Sequence, residues 1–176
     1  MVGPAEAVTD RLLCVQPGVG VADDYERLFT DPAVECWLRP EPMKPFCRED
    51  LEKMARRDRA HWDRHGYGPW AVRERDGGGF VGRGGLAWAT VAGEREVELP
   101  WAVLPALQGR GYGTEMARAA IEVARAIGLE RVVSLTLPSN LSSRRVMEKA
   151  GLDYAGEIQH AGLPHVLCEL RFTPSG

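Results

Sequence analysis

Apolar residues alternate with polar ones, or occur in β-branched runs, in several short segments of the chain, and each such segment predicts a β-strand. In EREVELPWAV (94–103) the side chains of Glu94, Glu96 and Glu98 share one face, and those of Val97 and Leu99 share the other. The remaining predicted strands are RLLCVQ (11–16), WAVRE (70–74) and FVGRGGLAWAT (80–90) on either side of a Gly-rich turn, RVVSLTLP (131–138), LDYAGEIQ (152–159) and HVLCELRF (165–172).

Apolar residues at helical spacing predict about four helices between these strands. In REDLEKMARRDRAHWDRHG (48–66), Leu51, Met54, Ala55 and Trp62 recur at this spacing, and Gly66 is placed to end the helix. The other predicted helices are VADDYERLFT (21–30), a segment that begins at the Gly-rich turn 109–113 and stops at Gly128, and NLSSRRVMEKAG (140–151). The dipeptide Asp31-Pro32 is expected to separate the first two helices. Helices interleaved with mostly antiparallel strands, without a linker, predict a single α+β domain over residues 1–176.

The composition is that of a folded, water-soluble protein. Of the 176 residues, 44% are hydrophobic and 27% are charged, and the formal net charge of -3 argues against a nucleic-acid partner. No apolar run is long enough to span a bilayer and the first residues lack the pattern of an export signal, so we expect a cytoplasmic protein without a membrane partner. Cys14, Cys36, Cys47 and Cys168 do not form CxxC pairs, so we expect reduced thiols that pack in the interior, and no metal site.

Three glycines, Gly109, Gly111 and Gly113, precede the third predicted helix in the sequence LQGRGYGTEM. Unpaired N–H groups at a helix start, together with the helix dipole, favour an anion such as a phosphate. Glycine lets such a group approach the backbone, and Arg110 can add a charge-assisted contact. A P-loop is excluded because the turn contains no lysine, and the dinucleotide pattern GxGxxG fails because its third glycine is missing in both registers.

The turn resembles the acetyl-CoA-binding motif of the GNAT acyltransferase superfamily. Gln108, Gly111 and Gly113 fit the pattern (Gln or Arg)-x-x-Gly-x-(Gly or Ala), which in that family lies between a strand and a helix. The segment NLSSRRVMEKAGL (140–152) is similar to a second helix of the family, with the pattern N-x-x-S-x-x-V-x-x-K-x-G-(Phe or Leu). The stretches TDRLLCVQP, HGYGPWAVRE and HVLCELRF extend the similarity over nearly the whole chain, towards the subgroup that includes the ribosomal-protein N-terminal acetyltransferases.

The resemblance implies a mixed, largely antiparallel sheet that is splayed between its fourth and fifth strands, with acetyl-CoA in the gap. In this chain those strands would be EVELPWAV (96–103) and VVSLTL (132–137). Pro100, which removes a ladder hydrogen bond, would fit a bulge in the fourth strand. The freed backbone of Trp101, Ala102 and Val103 would then face the pantetheine arm and the thioester, and one of its amides would stabilise the oxyanion.

The resemblance also implies which residues bind acetyl-CoA, the expected cosubstrate. The pyrophosphate would lie on the turn formed by Gln108, Gly109, Arg110, Gly111, Tyr112, Gly113 and Thr114. Asn140 would contact the pantetheine arm, cap its own helix, or do both. Ser143 would place a hydroxyl near the sulfur.

Transfer of an acetyl group to an amine needs a base for the amine proton and an acid for the departing thiolate. Glu98 is the candidate base, acting directly or through a water, and the alternative is an exposed acid on the strand face that it shares with Glu94 and Glu96. Many family members place a tyrosine as the acid in the second-motif helix, but Met147 stands at that position here. Ser143 is then the candidate acid, and its alternative role is a hydroxyl that caps the helix.

Aromatic and histidine side chains add two further candidates. Trp70 lies on a predicted strand, where a large aromatic side chain packs in the core or, alternatively, lines the acceptor pocket. His61 and His65 are four residues apart on a predicted helix, but no third metal ligand accompanies them, so we expect a solvated helix face. The surrounding charged run RRDRAHWDR (56–64) is expected to be solvated as well.

These features predict an acetyl-CoA-dependent N-acetyltransferase whose acceptor is a primary amine on a small molecule or at a protein N-terminus. The alternative is a non-catalytic acyl-CoA-binding module on the same fold, which the departure at Met147 keeps open. The acceptor would be selected by the first two helices, the loop between them and residues His160 to Pro164, where no substrate code is evident. The protein is expected to be a monomer or a homodimer.

Overall fold

In the computed structural model, which describes residues 7–172, the chain forms two five-stranded sheets with α-helices packed against them. The helices are α1 (Val21–Phe29), α2 (Pro32–Leu38), α3 (Arg48–His65), α4 (Tyr112–Ala126) and α5 (Leu141–Ala150). The strands are β1 (Ala7–Val8), β2 (Leu12–Val15), β3 (Pro69–Glu74), β4 (Phe80–Gly85), β5 (Ala87–Val91), β6 (Glu94–Glu98), β7 (Trp101–Val103), β8 (Arg131–Thr136), β9 (Asp153–His160) and β10 (Leu163–Arg171).

Antiparallel pairs dominate both sheets. The strand order is β1-β2-β3-β4-β7 in the first sheet and β5-β6-β8-β10-β9 in the second. The pair β6–β8, where Glu98 lies opposite Val133, is parallel, and the other described ladders are antiparallel. The predicted α+β class with a mixed, largely antiparallel sheet arrangement is therefore confirmed, with five helices in residues 7–172 rather than about four.

The segment FVGRGGLAWAT, predicted as one strand, is divided between the two sheets at Gly85. The φ of this residue is +116°, and a Cβ placed there would lie 2.6 Å from the carbonyl oxygen of Gly68. On one side of the break β4 pairs with β3, and on the other side β5 pairs with β6. The apolar pattern does not reveal this break because apolar residues occur on both sides of it, and the pattern does not record which sheet each half joins.

The segment EREVELPWAV is divided in the same way at Pro100. Leu99 still donates its N–H to the carbonyl oxygen of Val133, at 2.8 Å. Pro100 has no N–H with which to continue this ladder, and β7 pairs with β4 of the other sheet instead. The strands β7 and β8 consequently diverge and open a cleft, which is the splay predicted between the fourth and fifth strands.

Helix α2 lies where the sequence predicted only a boundary between helices. The side chain of Asp31 accepts a hydrogen bond from the N–H of Ala33 at 2.9 Å, and Pro32 occupies the first position of the helix. The dipeptide therefore starts a helix, as Asp at the N-cap and Pro in the first turn favour. The predicted ends of α3 and α5 are confirmed, because Gly66 and Gly151 both adopt the left-handed conformation directly after these helices.

Two hydrophobic clusters hold the helices on the sheets. In the larger one, Met116, Ala120 and Ala124 of α4 are fully buried among side chains from both sheets. In the smaller one, Leu28 of α1 and Leu51 of α3 pack on the first sheet. None of the described helices is both long enough and apolar enough to cross a membrane.

The four cysteines divide into two pairs by their exposure. Cys14 and Cys168 are buried, as predicted, whereas Cys36 and Cys47 are exposed. The prediction that all four pack in the interior is therefore wrong for two of them. Burial raises the pKa of the Cys14 thiol to about 12, with a smaller contribution from Glu115, so this side chain stays protonated.

Candidate active site

A cleft with a volume of about 600 Å³ lies where β7 and β8 diverge. Its walls come from α2, the segment between β6 and the start of α4, strand β8, helix α5 and the turn between β9 and β10. The predicted site residues that line it are Glu98, Trp101, Ala102, Val103, Gln108, Gly109, Gly111, Tyr112, Gly113, Thr114, Asn140 and Ser143. Two others, Arg110 and Trp70, do not line it.

The Gly-rich turn presents unpaired backbone donors at the start of α4. The N–H of Gln108 is bonded to Pro105 and that of Glu115 to Gly111, but the N–H groups of residues 109–114 find no acceptor within residues 7–172. Gly109 and Gly111 have φ values of +76° and +86°, which other residues rarely adopt. The turn thus combines a glycine-dependent backbone with the free N–H groups and dipole that favour an anion.

Side chains on either side hold this turn in place. The side-chain amide of Gln108 donates to the carbonyl oxygen of Val103 at 3.0 Å, and Arg11 donates to the carbonyl oxygen of Arg110 at 2.9 Å. Arg11 also pairs with Glu115, which accepts a further hydrogen bond from Thr9. Burial opposes ionisation of Glu115, but the hydrogen bonds from Thr9 and Arg11 prevail and keep its pKa below the ordinary value. Gln108 is therefore tied to the end of β7 through its side chain.

The N–H groups of alternate residues in β7 point towards the cleft. Leu104 donates its N–H to Val81 at 2.9 Å, and Ala102 lies opposite Arg83 in the β4–β7 ladder. Because hydrogen-bonded and non-bonded pairs alternate in an antiparallel ladder, the N–H groups of Trp101 and Val103 point away from β4. These N–H groups are suited to bind a carbonyl oxygen in the cleft.

Glu98 ends β6 and lines the cleft. It is half-buried, unlike the exposed Glu94 on the same strand face, and no side-chain hydrogen bond or ion pair joins it to another of residues 7–172. Burial raises the pKa of the Glu98 carboxyl above its ordinary value, while the charges of Arg83, Arg57 and His165 act in the opposite direction. The alternative of an ordinary exposed acid does not fit this environment.

A buried polar cluster lies near Glu98 and was missed by the sequence analysis. Arg83 binds the carboxylate of Asp58 with two hydrogen bonds of 2.7 Å, and Tyr25 donates its hydroxyl to Asp58 at 2.8 Å. Burial keeps the pKa of Tyr25 above its ordinary value, so its hydroxyl remains a donor. The charged run 56–64 is therefore not wholly solvated.

The burial of Asp58 could have been predicted from the spacing of apolar residues in α3. Leu51, Ala55, Asp58 and Trp62 are spaced by four, three and four residues, which is the pattern of one helix face, and all four are buried. Because charged residues are almost never fully buried without a partner, an acid on this face predicts a buried cation nearby.

At the start of α5, the side chain of Asn140 accepts a hydrogen bond from the N–H of Ser143 at 3.1 Å. Asn140 is therefore the N-cap, as predicted, and the Ser143 hydroxyl is not the cap. No side-chain hydrogen bond engages this hydroxyl within residues 7–172, and Ser143 lines the cleft. Met147 is only 1% exposed, so its thioether packs in the core.

Three of the histidines have contacts that the sequence did not reveal. His160 and His165 lie on the two strands of the β9–β10 hairpin, line the cleft, and have ring centroids 5.4 Å apart. His61 is half-buried: its Nε2 accepts the N–H of Trp88 at 3.0 Å, so its Nδ1 donates to the carbonyl oxygen of Tyr67 at 2.8 Å. The predicted solvated face is therefore wrong for His61, whose pKa is lowered by burial.

Trp70 is only 1% exposed and belongs to the larger core cluster, outside the cleft. Of the two roles considered for it, core packing agrees with this position. The acceptor-pocket role does not, because a side chain covered on all sides offers no surface to a substrate.

Comparison with known proteins gives the family. The sequence profile described as "Acetyltransferase (GNAT) domain" matches residues 11–153. The uncharacterized N-acetyltransferase YnaD of Bacillus subtilis (strain 168) is 35% identical over 65 residues, which cover 36% of this chain and 38% of YnaD. The uncharacterized protein YkkB of the same organism is 27% identical over 167 residues, which cover 92% of this chain and 93% of YkkB.

Solved structures share the fold. A putative GnaT-family acetyltransferase from Bordetella pertussis has a TM-score of 0.79 and 23% identity, covering 94% of this chain and 99% of that one. RimJ of Mycobacterium smegmatis, solved in complex with CoA-disulfide, has a TM-score of 0.73 and 21% identity, covering 91% of this chain and 81% of that one. The profile match spans most of the chain, and the chain therefore belongs to the GNAT acetyltransferase family and is an acyltransferase.

Proposed function

We propose that this protein is an acetyl-CoA-dependent N-acetyltransferase that acetylates a primary amine, on a small molecule or a protein N-terminus, by direct attack of the amine on the thioester. The observation that carries the proposal is the meeting, in one cleft, of three features: the free N–H groups of the Gly-rich turn, the cleft-facing N–H groups of β7, and the half-buried Glu98. Anion binding, oxyanion stabilisation and proton removal are the three functions that such a reaction needs.

The donor would be held by the turn and by the start of α5. The unpaired N–H groups of residues 109–114 fit a pyrophosphate, and glycine at 109, 111 and 113 leaves room for it to approach the backbone. Trp101, Ala102 and Val103 would line the pantetheine and thioester, with Asn140 and Ser143 on the facing wall. Arg110 is exposed and outside the cleft lining, so any contact with the phosphates would be made at the rim. The CoA-disulfide bound to the related RimJ fold supports this assignment of the donor.

Glu98 would act as the general base, directly or through a water. An alkylamine with an ordinary pKa of roughly 10 is mostly protonated at neutral pH, so a proton must be removed before attack. A carboxylate whose pKa is raised by burial is a better proton acceptor than an ordinary glutamate. The oxyanion would be stabilised by the N–H of Trp101 or Val103, and Ser143 would donate a proton to the departing thiolate.

Direct attack, without an acetylated enzyme, is favoured by the positions of the thiols. The covalent route needs an activated nucleophile such as a thiolate beside the thioester. None of the four cysteines lines the cleft, and burial keeps Cys14 protonated. The amine would therefore attack the thioester carbon directly, and the C–S bond would break as the oxyanion collapses, without an acetylated enzyme.

Met147 supports the alternative, a non-catalytic acyl-CoA-binding module, because its buried thioether cannot act as the acid that many relatives place at this position. Both functions predict thermal stabilisation by acetyl-CoA, so that measurement does not separate them. Release of CoA thiol from acetyl-CoA, measured with and without a mixed panel of amines and amino-terminal peptides, does. Amine-dependent release with an acetylated product in the mass spectrum supports the transferase, and binding without release across the panel contradicts it.

A further inference from the structure

The α2 side of the cleft is an apolar wall. The residues that form it are Ala33, Val34, Trp37 and Leu38 of α2, with Pro40 and Met43 from the loop that follows. Trp37, Leu38 and Met43 are 39%, 43% and 37% exposed, and they make up three of the seven large hydrophobic side chains that are exposed in residues 7–172. Exposed apolar surface gathered inside a cleft, rather than scattered over the molecule, indicates that an apolar group binds there.

Hydrogen bonds fix the loop after α2 in position, so the wall is already formed. The carboxylate of Glu35 accepts the N–H of Phe46 at 2.7 Å. Arg39 donates to the carbonyl oxygens of Lys44 and Pro45 at 3.1 Å and lies 3.9 Å from the centre of the Phe46 ring. A ligand that packs on a preformed wall loses less free energy to the ordering of the protein.

The wall adjoins the segment where the thioester would react. Val34 is buried in the smaller hydrophobic cluster, against which the half-buried Ala102 of β7 also packs. Ala102 lies between Trp101 and Val103, whose N–H groups face the cleft. A group seated on the wall is therefore beside β7 and in the same cleft as Glu98.

Few charged side chains line the cleft. Apart from the histidines, the charged residues among the described lining residues are Glu98, Arg145 and Lys149. Arg145 and Lys149 belong to α5, which packs against α4, the helix that follows the turn proposed for the pyrophosphate. A carboxylate or a second ammonium on the acceptor would be desolvated on the α2 wall without gaining a partner there.

We infer that the acceptor is a primary amine carried on an apolar or aromatic group, and that this group packs against Trp37, Leu38 and Met43 while the amine reaches Glu98. The inference rests on the proposed acetyl transfer and narrows its substrate. Small aromatic amines and peptides with an apolar N-terminal residue share this chemistry.

The test is a comparison of kcat/KM among five acceptors at a fixed, saturating concentration of acetyl-CoA. Phenethylamine and a peptide that begins with Phe are compared with ethanolamine, spermidine and the same peptide beginning with Asp. We expect kcat/KM to be at least about tenfold higher for the two apolar acceptors, as the burial of one aromatic group allows. A higher kcat/KM for phenethylamine than for the Phe peptide would indicate that the acceptor is a small molecule. The reverse order would indicate a protein N-terminus.

Variants of the α2 wall test whether it causes the preference for apolar acceptors. Trp37→Ala should lower kcat/KM for phenethylamine by about tenfold, mainly through KM, and leave ethanolamine nearly unchanged. Met43→Gln, which keeps the side-chain length, should act in the same direction more weakly. Tyr154→Ala is the matched control, because Tyr154 is an aromatic residue 64% exposed and does not line the cleft.

The outcomes separate this inference from the proposed function. Equal or higher kcat/KM for the polar amines, or an undiminished apolar preference in Trp37→Ala, would overturn the apolar acceptor while acetyl transfer stands. Absence of turnover with all five acceptors would overturn the apolar acceptor, and absence of CoA release across the mixed panel as well would contradict the transferase itself.

Discussion

Arg83 on β4 and Asp58 on α3 form a buried, bidentate salt bridge with two N···O distances of 2.7 Å. Tyr25 donates a third hydrogen bond to the same carboxylate. The charge of Arg83 also acts on Glu98, where it opposes the rise in pKa that burial causes. The cluster therefore joins α1, α3 and β4 and influences the electrostatic environment of the proposed base.

Asp58→Asn should destabilise the protein, because it leaves the Arg83 guanidinium buried without its counter-ion. Removing one partner of a buried ion pair typically costs about 3–5 kcal/mol of unfolding free energy. Urea denaturation monitored by circular dichroism measures this change. Lys53→Ala, which removes an exposed pair with Glu49, serves as the control and should leave the midpoint unchanged. A midpoint equally unaffected by Asp58→Asn would show that the buried bridge does not contribute to stability.

The same Asp58→Asn variant, if it is assayed below its unfolding midpoint, should shift the pH profile of kcat/KM. Without Asp58, the charge of Arg83 is less well neutralised and lowers the pKa of Glu98. Glu98 would then be ionised at lower pH, so the acidic limb of the profile should move to lower pH. An acidic limb at the same pH as in the wild type would show that the charge of Arg83 does not influence the pKa of Glu98.

Glu98→Gln should lower activity at neutral pH and raise stability at the same pH. The activity falls because the amine proton has no acceptor, and it should recover partly at high pH, where more of the amine is unprotonated. The stability rises for a separate reason. The folded pKa of Glu98 lies above its unfolded value, so the wild-type protein loses stability as pH rises through that folded pKa, and glutamine does not ionise.

Two measurements check these changes in Glu98→Gln: kcat/KM across pH, and the thermal midpoint at acidic and neutral pH. The difference in midpoint between variant and wild type should be larger at neutral pH. An activity unchanged at every pH would exclude Glu98 as the base.

Gly113→Val should weaken acetyl-CoA binding while the fold is retained. Gly113 lies inside α4 with an ordinary helical φ, and a Cβ there would lie 3.4 Å from Val146 and 3.7 Å from Trp101, within the cleft. Gly111→Val is a poorer test, because its φ of +86° strains any other residue. The thermal shift produced by acetyl-CoA is the measurement, and we expect it to fall to near zero.

The control for Gly113→Val is Gly18→Val, since a Cβ at Gly18 meets no atom within 4 Å and lies outside the cleft. This variant should keep the full acetyl-CoA shift. An undiminished shift in Gly113→Val as well would contradict the placement of the donor on this turn.

Ser143→Ala should lower kcat by about 100-fold if its hydroxyl protonates the thiolate, with little change in the KM for acetyl-CoA. The helix should remain capped, because the capping side chain is that of Asn140. Ser139→Ala, at an exposed serine outside the cleft lining, is the control. Equal kcat values for Ser143→Ala and wild type would show that Ser143 does not protonate the thiolate. Water would then be the proton donor.

The sequence predicted those parts of the structure whose causes are local. The ends of α3 and α5 follow from Gly66, Asn140 and Gly151, and the turn with unpaired N–H groups follows from glycines next to a helix start. Helix α2 was missed because seven residues show too little of the helical period. The divided strands were missed because an apolar pattern does not record which sheet buries it.

The parts of the site that depend on distant contacts were the hardest to predict. The segment from His160 to Pro164 was expected near the acceptor, but the approach of His165 to the cleft depends on the pairing of β10 with β8, which no local pattern marks. Asp58 could have been recognised on the apolar face of its helix, but its partner Arg83 could not, since the pairing depends on how α3 lies on the first sheet.

The proposed reaction passes an acetyl group directly from acetyl-CoA to a primary amine in the cleft. The most direct measurement uses acetyl-CoA carrying a ¹³C-labelled acetyl group, with mass spectrometry of both the small products and the intact protein during the first turnovers. We expect labelled N-acetyl amine, equimolar free CoA, and a protein whose mass does not change. Label retained on the protein, or bound acetyl-CoA with no labelled amine from any acceptor, would contradict it.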